Sequence, residues 1–158
     1  MAVWMQIIGF RESNSLEKEK ELISNILNSE NLNWSIKKRK NLEFFEFTFI
    51  DQQLKIYCDN PNFIEFSGTS SIFTAWYKFV DTENTELTNK VKKVFSQIAN
   101  KRGIQKLYYF SEWFFSLDQI RLEEENFEQL IERIKNYPDL KKTELLGLEA
   151  NEYYMEKI

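Results

Sequence analysis

Residues 42–50 carry an aromatic at every second position from Phe45 to Phe49. Phe45, Phe47 and Phe49 share one face, and Phe44, Glu46 and Thr48 share the other. That period of two predicts a strand. Leu54, Ile56 and Cys58 alternate in the same way with Lys55 and Tyr57, and Asp51-Gln52 between the two runs suits a turn. Asp59-Asn60-Pro61-Asn62 is a second turn signal, after which residues 63–67 return as a strand. With a short strand over residues 33–38, the block predicts an antiparallel meander. Gly68-Thr69-Ser70-Ser71 breaks the pattern. Residues 72–80 then alternate Phe73, Ala75, Tyr77 and Phe79 against Thr74, Trp76 and Lys78, which reads as a strand, although the length and Ala75 leave a helix open.

The period changes to that of a helix in three places. After a weakly alternating strand over residues 4–10, Asn14 and Glu17 form an Asx version of the capping box. Leu16, Leu22, Ile23, Ile26 and Leu27 then predict a helix through about Asn28, with Lys18 and Lys20 on its exposed side beside Glu17 and Glu21. The clearest helix carries Leu87, Val91, Val94, Phe95 and Ile98 on one stripe. Lys101 and Arg102 complement its C-terminal dipole, and Gly103 is placed for the left-handed cap. A third helix is expected over residues 123–136. Phe127, Leu130, Ile131 and Ile134 form its apolar stripe, Glu123, Glu124 and Glu125 suit its N-terminal end, and Pro138 stops it.

Between the second and third helices lies the aromatic stretch 104–115. Its first part, 104–110, is β-branched and aromatic, as a central strand buried on both faces would be. Residues 151–158 alternate again and suit an edge strand. The expected fold is α+β: a mainly antiparallel sheet of five to seven strands in a single domain spanning residues 1–158. About three helices pack chiefly on one face. A contiguous block of strands in the middle of the chain favours this over a doubly wound sheet.

Composition narrows the setting. A chain of 158 residues with 42% hydrophobic and 16% aromatic residues supplies a core without staples. One cysteine excludes an intramolecular disulfide and suits a reducing compartment, so a cytoplasmic location is expected. No apolar run approaches membrane-helix length, and the first ten residues read as a strand rather than a leader.

The chain has no histidine, which removes His-based triads, imidazole ligation and the usual neutral-pH proton shuttle. The glycines, Gly9, Gly68, Gly103 and Gly147, are isolated, so there is no glycine-rich phosphate loop. No metal or other cofactor is expected. Cys58 is in phase with Leu54 and Ile56 and reads as a small buried hydrophobe. Lys37, Lys38, Arg39 and Lys40 form the basic run of the chain. Two readings apply to it: a phosphate contact or nucleic-acid patch, or else a solvated turn or a charged edge strand that blocks edge-to-edge pairing. The net charge of −4 favours the second and argues against nucleic acid as a partner.

Residues 112–132 are the mirror image, with seven acids against one base, Arg121. Glu124, Glu128 and Glu132 lie four apart and share a helix face. Glu112 and Trp113 belong to the adjoining aromatic segment, and Asp118 follows it in a loop or lead-in turn. The function this favours is a non-catalytic protein-binding module, in the manner of toxin-neutralising immunity proteins. Its partner would carry a basic surface, met through Glu112, Trp113, Asp118, Glu124, Glu128 and Glu132. Two alternatives remain beside it. One is a nucleic-acid or nucleotide binder using Lys37, Lys38, Arg39, Lys40 and sheet aromatics. The other is a small enzyme working through carboxylates and tyrosine.

Overall fold

The structure, a computed structural model, describes residues 4–10, 15–40, 42–49, 52–58, 63–69, 85–111, 129, 132, 141–142 and 152–158. In chain order these form β1 (Trp4–Phe10), α1 (Leu16–Ser29), β2 (Trp34–Arg39), β3 (Leu42–Phe49), β4 (Gln52–Tyr57), β5 (Phe63–Thr69), α2 (Thr85–Lys101), β6 (Lys106–Ser111), β7 (Lys141–Lys142) and β8 (Glu152–Lys157). The strands make one sheet in the order β2-β3-β4-β5-β1-β6-β8-β7. Seven strands pair antiparallel, and the two-residue β7 joins β8 in parallel. With α1 and α2 on one face, this is the expected α+β architecture. Of the third helix, expected over 123–136, Gln129 and Glu132 are described, and both are helical and exposed. Residues 72–80 and the turn at 59–62 lie outside the described residues.

Both helices end in the same way. In α1 the Asn31 N–H reaches Asn28 O and the Leu32 N–H reaches Leu27 O, with Asn31 at φ 55°. In α2 the Gly103 N–H reaches Asn100 O and the Ile104 N–H reaches Ala99 O, with Gly103 at φ 68°. These are Schellman closures, which satisfy the last carbonyls and turn the chain back toward the sheet. The start of α1 differs from expectation. Ser15 is its cap, accepting the Lys18 N–H at 3.4 Å, so the helix begins one residue later than a cap at Asn14 would place it.

Side chains alternate across each strand, so the register defines two faces. One row runs Ile36, Phe45, Ile56, Phe66, Ile7, Tyr109 across six strands. From Phe45 to Tyr109 this row is buried, and it meets Ile23, Ile26 and Leu27 of α1 and Val94, Phe95, Ile98 and Ala99 of α2. Phe95 stacks on Phe66 with ring centroids 4.2 Å apart. Gly9 lies beneath Ile104, where a Cβ would come within 2.9 Å of Ile104 Cδ1. The missing side chain lets the turn after α2 settle onto β1.

The doubly buried strand is not the one expected. Leu107 and Tyr109 of β6 are buried, but Tyr108 between them is half-buried and Lys106 is exposed. Instead, every residue from Phe63 to Gly68 of β5 is buried. β5 and β1 occupy the middle of the sheet, whereas β6 lies toward the β7 edge. The expected break at Gly68 is also absent. Met5 and Leu54 both pair with Gly68, and the strand continues to Thr69.

Candidate functional site

The expected acidic surface falls mostly beyond the described residues. Glu112, Trp113, Asp118, Glu124 and Glu128 lie outside them, and Glu132 is helical and exposed. Gln129, three residues before Glu132, is exposed on the same side of the helix. The aromatics of the neighbouring strand divide between the faces. Tyr109 is buried and donates its hydroxyl to Glu156 Oε2 at 2.9 Å. Tyr108 lies on the other face, edge-on to Phe10 at 5.7 Å.

The basic run takes the form of a charged edge strand. Lys37, Lys38 and Arg39 lie on β2 at one end of the sheet, and all three are exposed. Lys40 opens the two-residue connection to β3 with φ 55°. Lys38 approaches Glu43 at 3.5 Å. Lys37, Arg39 and Lys40 make no ion pair among the described residues. Trp34 starts the strand and is fixed by its Nε1–H, which donates to Asn28 Oδ1 at 2.8 Å, and by a tilted contact with Phe45.

Among the described residues, three charged clusters tie the helices to the sheet and to each other. Lys20 was expected on the exposed side of α1, yet it bridges to Glu43 on β3. Its hydrogen bond to Glu43 raises the Lys20 pKa, and the same bond holds the Glu43 carboxyl below its ordinary range. Lys93 on α2 lies 2.9 Å from Glu30 beyond α1, and this contact lowers the Glu30 pKa. The third cluster is buried. Glu19 of α1 is fully buried, with Arg102 Nε at 3.7 Å and aimed so that it makes no hydrogen bond. The spacing of Glu19, Ile23, Ile26 and Leu27 at i, i+4, i+7 and i+8 carried the signal that Glu19 faces inward.

No protein-family model and no curated protein sequence matches this chain. The chemistry must therefore be read from the described groups themselves. A second buried carboxylate, Glu65, lies on β5 between Tyr57 and Ile8. Its neighbours Ile64 and Phe66 face the helices, so Glu65 projects from the opposite face. Glu19 and Glu65 thus sit on opposite sides of the sheet and do not converge as a general acid and base require. Among the described residues, no group of three or more His, Cys, Asp or Glu is arranged to hold a metal ion. Cys58 is buried at the end of β4, as a packing residue would be. No described helix is long and apolar enough to cross a membrane.

Proposed function

We propose that this chain is a non-catalytic protein-binding module of the immunity type, which meets a basic protein surface through residues 112–132. The charge distribution carries this reading. That segment has a net charge of −6 while the whole chain has −4, so the remainder is net +2. An acidic segment in an otherwise mildly basic chain favours approach of a basic partner to that segment. Gln129 and Glu132 are exposed, and the sequence spacing of Glu124, Glu128 and Glu132 is that of residues sharing one helix face. Trp113 beside the acids supplies the aromatic anchor that binding centres favour.

The test begins with capture of the partner by the tagged chain, followed by association kinetics at several salt concentrations. Replacing Glu124, Glu128 and Glu132 together with lysine is expected to slow association by about tenfold or more and to flatten its salt dependence. Thermal stability should change little, because exposed charges contribute little to folding. Unchanged association rate and salt dependence in the triple variant would overturn the reading.

A further inference from the structure

β2 lies at one end of the sheet and presents one row of backbone groups away from β3. In antiparallel pairs, residues that exchange both backbone hydrogen bonds alternate with residues that exchange none. The Thr48 N–H donates to Asn33 O at 3.4 Å, which fixes the phase. By the register, Ser35, Lys37 and Arg39 then bond inward to Glu46, Phe44 and Leu42. Trp34, Ile36 and Lys38 turn their N–H and C=O groups outward, at the open end of the sheet. Every residue from Ser35 to Arg39 is exposed, and among the described residues β3 is the one strand that pairs with β2. Ile36 keeps 43% of its surface in solvent, unusual for a large aliphatic side chain here.

The two sides of the edge differ in chemistry. Trp34, Ile36 and Lys38 flank it on the helix-facing side, where Lys38 is engaged with Glu43, and Ser35, Lys37 and Arg39 flank it on the other. We propose that β2 is a second interaction site, which takes up an extended segment of another protein by strand addition. The segment it fits alternates acidic with apolar residues. Its backbone pairs with Trp34, Ile36 and Lys38, its carboxylates meet Lys37 and Arg39, and its apolar side chains extend the row that ends at Ile36. Charge complementarity selects this occupant. A second copy of the chain pairing through β2 would bring two basic runs together, which like-charge repulsion opposes.

The probe is a fluorescein-labelled ten-residue peptide that alternates glutamate and valine, titrated into the full chain and followed by anisotropy and by amide hydrogen exchange. Binding should slow exchange at the amides of Trp34, Ile36 and Lys38, while Ser35, Lys37 and Arg39 change little, being bonded already. Ile36→Pro removes one outward donor and no ladder bond, so the variant should stay folded and bind about tenfold or more weaker. Lys37→Glu with Arg39→Glu should weaken binding by a similar factor, with a reduced salt dependence. A peptide with lysine in place of glutamate should not bind. The proposal is overturned if the acidic peptide fails to bind, or if it binds without the alternate-residue protection. It is equally overturned if a single-stranded oligonucleotide displaces the peptide at lower concentration, or if the chain alone self-associates through β2. The acidic segment takes no part in this assay, so failure here leaves the proposed function standing.

Discussion

Phe95→Ala tests the joint between helix and sheet. Phe95 is fully buried on α2 and stacks on Phe66 of β5, with centroids 4.2 Å apart and an interplanar angle of 26°. An aromatic side chain of this kind removes about 200 Å² from water, worth about 5 kcal/mol at about 25 cal/mol per Å². Alanine keeps part of that burial but leaves a cavity, so the expected loss is about 3–5 kcal/mol. That is a large share of the about 5–15 kcal/mol by which a domain is stable. Urea unfolding followed by circular dichroism measures the loss as a fall in midpoint at constant slope. Phe66→Ala and the double variant complete a cycle. A coupling of about 0.5–1.5 kcal/mol is expected, because the ring contact contributes beyond the area each ring buries. A single-variant loss below about 1 kcal/mol would show that α2 does not seat Phe95 in the core. A loss of expected size with no coupling would locate Phe95 in the core but away from Phe66.

Two further outcomes follow from the same frame. Lys20→Met should destabilise the protein by about 1 kcal/mol at pH 7, and the difference from wild type should depend on pH. Glu43 has a lowered pKa, so its share is present above its ordinary value of 4.5 and is lost as the pH falls through the folded value. Lys20 has a raised pKa, so its share is present below 10.5 and is lost as the pH rises through the folded value. Urea midpoints of both proteins across pH 3–8, covering the acid side, should converge toward the acid end, and parallel curves would refute the Lys20–Glu43 account. Cys58 is 2% exposed, so a thiol reagent should label it at the rate of unfolding, and stoichiometric labelling of the native protein within seconds would contradict its burial.

The sequence by itself determined the local elements. Period-two alternation placed β3 to within one residue and β4 to within two, Gln52 belonging to the strand and not to the turn, because each strand records its two faces in its own side chains. The stripe ending at Ile98 and the glycine at Gly103 marked α2 and its stop, since a helix and its cap are settled within a few residues of chain. The basic run at Lys37 was legible as solvated, as a turn or an edge strand, because four adjacent cations suit a segment with one side in water; the structure divides it, with Lys37, Lys38 and Arg39 on the edge strand and Lys40 in the turn.

Features that depend on neighbours distant in sequence emerged only on folding. The first strand runs between β5 and β6, so the middle of the sheet is made by β1 and β5 rather than by residues 104–110. No local pattern encodes that order, because pairing is chosen by the register of the whole sheet. The same holds for the charges. Lys20 was drawn to Glu43 by the packing of α1 on the sheet. Glu19 is on the buried stripe of its own helix, but the guanidinium beside it arrives from the end of α2, some eighty residues later. Which amides of β2 face outward also emerged only once β3 had paired with its inner side, for a strand's hydrogen-bonding direction belongs to the pair and not to the strand.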